Sequence, residues 1–285
     1  SNVTYDCAGK WISNTTLAAT GIYEGDNLVN ITVKNCNVTM SSSSGGNGIQ
    51  FNKVNNSLII NSTANSNRWG IYLVTSSNNN LTGNTANSNS DTGISISNSN
   101  NNQLVNNTAD LNDYGILLSS NSNDNTLTNN TANSNNVVGI SLQSSPNNNL
   151  TGNTANSNVY NGISLTSSSS NNILVNNNIL NCTGGTDGCI VIYNSIGNSI
   201  TGGLINLSAS NLIYLYSSSN NLFKDLILLG ASNNDTFLTS NSINNTFINV
   251  SYNSSKEYVE SGGQLIRKWY YQAYVNDTTG IGVSA

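Results

Sequence analysis

The 285-residue sequence contains no histidine, one methionine and one proline, and only 7% of its residues are charged. These shortages close off whole classes of function. Eight basic residues against 13 acidic ones, with no basic run, cannot supply the clustered Lys and Arg that a phosphate backbone needs, so no nucleic-acid partner is expected. No stretch approaches the roughly 18 consecutive apolar residues of a membrane-spanning helix, so no membrane span is expected either. No leader segment is visible, and position 1 is read as a processed or engineered start. Scarce charge also argues against disorder. The chain is rich in Asn and Ser, a composition that usually stays unfolded, but disordered chains normally carry high net charge and this one carries −5 with 36% hydrophobic residues. So many amides must be satisfied internally.

What is present is repetition. The string NNNLTGNTANSN occurs at 78–89 and again at 147–158. Taking the apolar residue of each N-x-L unit gives Leu58, Leu81, Leu104, Leu127, Leu150, Leu174, Ile200, Phe223 and Phe247, spaced 23 to 26 residues apart. Two residues before each stands Asn: Asn56, Asn79, Asn102, Asn125, Asn148, Asn172, Asn198, Asn221 and Asn245. A second column, Ile71, Ile94, Ile116, Ile140 and Ile163, follows a glycine in every case and is itself followed two residues on by Leu or Ile. Spacing of two is the period of a strand, and the segments are too short for helices. A fixed period of this length marks a repeat protein.

A unit of two or three short strands cannot bury its apolar face alone. Stacked about 4.8 Å apart, such units place Ile on Ile and Leu on Leu, and inward Asn on Asn can hydrogen-bond from coil to coil. The expected fold is all-β: a single-stranded right-handed parallel β-helix, or solenoid, of about 10–11 coils with a 23-residue repeat and terminal caps. A leucine-rich repeat is rejected because its L-x-x-L-x-L pattern and helical return are missing. Residues 1–46 read as an N-terminal cap and first coils, with Ile31 aligned to the Leu column, and 47–255 as the regular helix. Residues 256–285 read as a C-terminal cap or the junction to a following domain, where the period fails and a turn is expected at NDTTG.

Four cysteines suit an oxidising compartment. In that reading Cys182 and Cys189 staple the one coil stretched to 26 residues, and Cys7 and Cys36 lock the first coils; the alternative is four buried thiols. Among the Asn-X-Ser/Thr sequons, Asn80 and Asn149 precede the inward Leu and are expected to point outward and carry glycans, with Asn244 placed in the same column. Asn206, Asn234, Asn253, Asn30 and Asn37 are further acceptors, whereas Asn106 and Asn129 are expected near an inward bend and less modified. Composition alone also generates sequons freely.

One column carries charge. Arg68, Asp91 and Asp113 lie two residues before their glycines in successive coils, with Trp69, Thr92 and Tyr114 beside them. Stacking would bring the two carboxylates to about 5 Å, compatible with a retaining glycosidase pair, while Arg68 and the aromatics could hold a sugar. The plainer reading is preferred: Asp is a good turn residue and Arg68–Asp91 an ion pair. An ice-binding array is not supported, since the column after the Leu is broken by Val105, Val175 and Lys224.

The units GISLQSSPNNNLTGNTANSN and GILLSSNSNDNTLTNNTANSN, with NITVKNCNV near the start, resemble the NosD-type parallel β-helix repeats found in secreted and surface-layer-associated proteins of archaea, particularly methanogens. IRKWYYQAYVNDTTG is similar to the junction between such helices and an immunoglobulin-like domain. The resemblance implies the fold; it leaves function open, because such repeats serve binding, structural and carbohydrate-active proteins alike. The copper role of the name-giving members does not transfer to a chain with no His and only Met40, so no cofactor is expected. The expected function is structural and extracellular: a glycosylated subunit of a cell-surface layer, sheath or filament, or an adhesin stalk. Self-association would run end to end or by strand addition through 264–285. The alternative is a β-helix that binds or cleaves a surface polysaccharide at Arg68, Asp91 and Asp113.

Overall fold

A computed structural model describes residues 2–14, 16, 19–40, 45–183, 185 and 187–271. The chain winds as a right-handed parallel β-solenoid of about 11 coils. One face is a 12-stranded sheet running from Val3–Asp6 to Leu265–Lys268, and a second is an 11-stranded sheet running from Ile22–Glu24 to Glu257–Val259. Two three-stranded sheets form the ends of the third face. Between them it narrows to single-residue bridges, Thr63–Thr85–Thr108–Thr131–Thr154–Asn178. The stretch NTANSN therefore carries this face. Its Ala86, Ala109, Ala132 and Ala155 point into the core, where a small residue suits the narrow section between the two broad sheets.

The two apolar columns stack as expected, Leu81↔Leu104↔Leu127↔Leu150 in one sheet and Ile94↔Ile116↔Ile140↔Ile163 in the other, all fully buried. The first coil of the N-x-L column departs from the sequence reading. Leu81 pairs with Ile59, not Leu58, and Leu58 is 36% exposed. Asn56 consequently leaves the ladder: it sits in a turn at φ 50°, and the buried Ser57 takes its place, donating its N–H to Asn79 Oδ1 at 2.9 Å. This coil is one residue short, so matching on the string NNSL selects the wrong apolar residue. Val33, not Ile31, likewise occupies the Leu column, and Ile31 ends the Asn ladder as an apolar plug.

The remaining ladder from Asn79 to Asn245 forms. In its regular stretch each inward amide oxygen accepts the backbone N–H of its counterpart in the coil before, as Asn125 Oδ1 does from Asn102 at 2.8 Å. Three more inward ladders form. Asn67, Asn89, Asn112, Asn135 and Asn158 turn one of the other two corners, Asn84, Asn107, Asn130, Asn153 and Asn177 turn the second, and serines from Ser76 to Ser242 share the corner of the Asn79 column. All are buried. At each corner the strand leaves its sheet and frees a backbone N–H, and an Asn or Ser from the next coil takes it up. The Asn excess is thus the hydrogen-bond complement of the corners.

An outer, half-buried ladder runs the opposite way, through Asn87, Asp110, Asn133 and Asn156. Asp110 is the only acid in it. Its carboxylate accepts the Asn133 N–H at 2.6 Å, but burial outweighs that bond and raises its pKa. A raised folded pKa favours the native state when the group is protonated, and that advantage is lost as pH rises through the folded pKa. Asp110→Asn should therefore raise the melting temperature at pH 7, by about 1 °C given solvent screening, and the gain should vanish in acid below the ordinary Asp range. Paired thermal melts at the two pH values check it.

Both disulfides form, Cys7–Cys36 and Cys182–Cys189, with Cα separations of 4.8 and 5.5 Å. The first ties the opening coil to the next, and the second closes the enlarged coil. At the other end the stack runs one coil beyond Phe247: Leu265–Lys268 pairs with Asn245–Ile248. There Arg267 bridges Glu257 and Tyr252, whose phenol is pushed up to about 12, first by burial and then by the Glu257 carboxylate. The expected turn at NDTTG and the rest of the junction, 272–285, lie outside the described residues. No described helix is long and apolar enough to cross a membrane.

Candidate functional site: an aromatic-bounded trough on the 11-stranded sheet

The strands of the 11-stranded sheet present every second side chain outward. Pairing fixes one outward column as Tyr72, Ser95, Leu117, Ser141, Ser164, Val191, Tyr214, Phe237 and Tyr258. Its middle is small and its ends are aromatic. Over Ser141, Ser164 and Val191 opens a cleft of 320 Å³. Tyr114, at the start of its strand, and Tyr160 and Asp187, in the turns entering the sheet, line one side; Gln143, Thr166 and Tyr193 line the other. Beyond it Tyr193 stacks on Tyr216, ring centroids 4.3 Å apart, and Tyr214, Phe237 and Tyr258 stack at 5.5 and 4.6 Å. Burial raises the Tyr193 and Tyr214 phenols, followed by the neighbouring Tyr216 at Tyr193 and by the Asp187 carboxylate at Tyr214.

The charged column lies at one edge of this trough, and its members are occupied. Backbone bonds from Asp91 N–H to Arg68 O and from Asp113 N–H to Asp91 O place the three in successive coils. Arg68 Nε stands 3.7 Å from Asp91 Oδ2, with its guanidinium 4.5 Å over the Trp69 ring, and Trp69 packs on Tyr72 at 4.4 Å. Thr92 donates to Asp91 and Asn136 to Asp113, both at 3.0 Å. Arg68 thus covers one face of the indole, and Tyr72 packs against the same side chain. Of the aromatic residues flagged beside the charges, only Tyr114 lines the cleft. Sequence reasoning misses Tyr160 and Tyr193. Tyr193 joins the column of Gln143 and Thr166 only once the coil after Ile163 is known to lengthen from 23 to 27 residues, and Tyr160 sits one coil on from Val137.

The sequons distribute unevenly over the surface. Asn80 and Asn149 lie on strands of the 12-stranded sheet, each accepting the hydroxyl of its own sequon threonine, at 2.5 and 2.9 Å. Asn244 stands two positions before that column, in a left-handed turn at φ 55°. Asn106 and Asn129 are exposed turn residues at φ 55° and 53°, not inward ones. Asn30 and Asn253 are exposed and Asn37 and Asn206 half-buried. Asn234 is half-buried and donates to Asn211 at 3.0 Å, ahead of a fully buried Thr236.

Residues 29–202, more than half of the chain, match the family model described as periplasmic copper-binding protein (NosD). The chain belongs to the NosD family. Its donor set does not fit copper: there is no histidine, Met40 is buried in the core, and all four cysteines are in disulfides. No cluster of three or more His, Cys, Asp or Glu side chains able to hold a metal occurs among the described residues. No curated protein sequence matches the chain. Several solved structures share this chain's fold at low identity. The A-module of mannuronan C-5 epimerase AlgE6 from Azotobacter vinelandii is 17% identical with a TM-score of 0.60, covering 88% of this chain and 74% of that one. A single-site mutant of the periplasmic alginate epimerase AlgG gives 14%, 0.57, 87% and 78%, and the Dettilon tailspike protein 12%, 0.66, 93% and 61%. The disulfides and the family together point to a compartment outside the reducing cytosol.

Proposed function

We propose that this NosD-family chain is an extracellular rod that binds a polysaccharide along the outer face of its 11-stranded sheet without cleaving it. The carrying observation is the trough itself: a small-residue floor, tyrosines on both sides, and stacked aromatic rings continuing along the rod axis. Concave sites lined by aromatics with a few polar groups are the ordinary form of a ligand site, and rings with polar tips suit sugars, which pair apolar faces with hydroxyl rims. Neighbours of this fold named for alginate epimerisation add support. A cleaving role has less behind it, because Asp91 and Asp113 are held by Arg68, Thr92 and Asn136 at the edge of the trough.

The test is affinity electrophoresis through gels cast with individual polysaccharides, with a reducing-end assay on the same mixtures. Retardation is expected without new reducing ends, and Tyr193→Ala should weaken it about tenfold, the loss of roughly 1.4 kcal/mol of stacking. Release of reducing ends that Asp91→Asn or Asp113→Asn abolishes would instead establish the enzyme reading.

A structural role in a surface layer, sheath or filament is compatible with binding. It is favoured by Trp269, 65% exposed beside Tyr270 and Tyr271 just past the final strand, and by the outer edges of the strands that end each sheet. Glycans on Asn80 and Asn149 would sit on the 12-stranded sheet. Electron microscopy of the native protein should then show filaments or sheets; discrete rods of about 50 Å would remove the assembly role while leaving binding intact.

A further inference from the structure

Binding along the trough raises the question of what the polymer carries on its sugars, and the face answers by what it withholds. The strands of the 11-stranded sheet, from Ile22–Glu24 to Glu257–Val259, contain no lysine or arginine. The 12-stranded sheet carries Lys34, Lys224, Arg267 and Lys268 on its strands. Arg68, at the edge of the trough, is committed to Asp91 and Trp69. The one charged side chain in the cleft wall is the Asp187 carboxylate, and Asp113 follows the same edge.

A polyuronate lying along several coils would bring one carboxylate per sugar against this edge. Each would lose water on entering the cleft and meet no cation in return, with Asp187 repelling the nearest. The other polar groups of the cleft are all neutral: Asn161 is tied to Gly188 O at 2.7 Å and Gln143 to Ser141 at 3.3 Å, which leaves the half-buried Gln143 and Thr166 side chains and the tyrosine phenols to meet hydroxyl groups. The same strands are also free of sequons: their asparagines Asn52, Asn161 and Asn211 are not followed by Ser or Thr at the second position. In a chain crowded with acceptor sites elsewhere, the strands of this face keep clear of both cations and attached glycan.

We infer that the trough takes an uncharged polysaccharide, a neutral hexose polymer, and excludes polyuronates such as the alginate named for several of its fold neighbours. The inference rests on the polysaccharide-binding reading and narrows it. The experiment uses the full chain with disulfides intact at low ionic strength, where charge discrimination is strongest. Gels contain hydroxyethyl cellulose, laminarin, galactomannan or alginate. The expected result is retardation by at least one neutral polymer, lost in Tyr193→Ala, and unaltered mobility in alginate. Retardation by alginate, with or without a neutral polymer, overturns the neutral-ligand inference and leaves the binding reading standing. Unaltered mobility in all four gels overturns both. Tyr193 is 38% exposed and outside the core, so its truncation removes only the surface stack on Tyr216; a small drop in melting temperature with the cooperative transition kept verifies that the lost retardation is one of binding.

Discussion

Replacing Asn125 by alanine is expected to cost the fold about 3 kcal/mol or more, from a side chain that touches no ligand and carries no charge. Its Oδ1 accepts the Asn102 N–H at 2.8 Å and the Asn102 amide at 3.1 Å, and its Nδ2 donates to Ser99 O and Asn148 Oδ1, both at 3.1 Å. All four partners belong to residues in or beside the buried ladder. Truncation strands the Asn102 N–H with no water to replace the lost acceptor, and each buried unsatisfied group costs about 1–3 kcal/mol. Asn125→Asp should be worse at pH 7. A carboxylate still accepts from Asn102 but places negative charge against Ser99 O and Asn148 Oδ1, both acceptors. Burial raises the folded pKa of such an Asp, so the penalty grows as pH climbs through that pKa and shrinks in acid, where a protonated carboxyl can again donate. Urea unfolding of both variants at two pH values, beside the outward neighbour Thr126→Ala, measures this. A ladder of decorative rather than necessary bonds would leave all three within about 0.5 kcal/mol of the parent.

That the Asn columns are structural is legible in the sequence because the same residue recurs at the same phase, and a solenoid converts phase directly into stacking. The limits follow from the same conversion. Asn56 reads as a ladder member because NNSLII offers two apolar residues, and only the buried pair Ser57 and Ile59 shows that this coil is 22 residues long. Three further ladders escape the sequence reading because Asn serves turns as readily as corners: in NTANSN the first and last Asn point inward, while Asn87 between them faces out. The Arg68, Asp91 and Asp113 column is readable as a column, and stacking one coil apart is also what lets Arg68 neutralise Asp91. Proximity alone could not say whether a carboxylate pair was free. The trough is hidden for a different reason. Its tyrosines come from coils where length changes, so Tyr160 and Tyr193 share a cleft only after the pairing of Ser164 with Val191 is known.

The glycine preceding each inward Ile carries a second large effect, since space and not backbone angle dictates it. A methyl group on Gly115 would fall 2.6 Å from the Gly139 carbonyl oxygen, 2.7 Å from Asn135 Nδ2 and 2.8 Å from Ala132 Cβ. None of these can retreat: one is backbone, one is fixed in the corner ladder by its bonds to Asn112 and Asn158, and one lines the narrow third face. Gly115→Ala is therefore expected to destabilise by about 3 kcal/mol, at the upper end for an added methyl in a packed core. Gly9→Ala provides the comparison. Gly9 has φ 77° with nothing within 4 Å of an added Cβ, so it should lose only the left-handed backbone preference, roughly 1 kcal/mol. Denaturant midpoints at unchanged slope separate the two. The site of Gly115 adds a functional readout, because it lies next to Tyr114, which lines the cleft. If the corner sets the trough, Gly115→Ala should weaken polysaccharide retention even under conditions where it remains folded, and Gly9→Ala should leave retention unchanged. Equal stability loss in the two variants would mean that the packing around Gly115 has room to relax about an added methyl group.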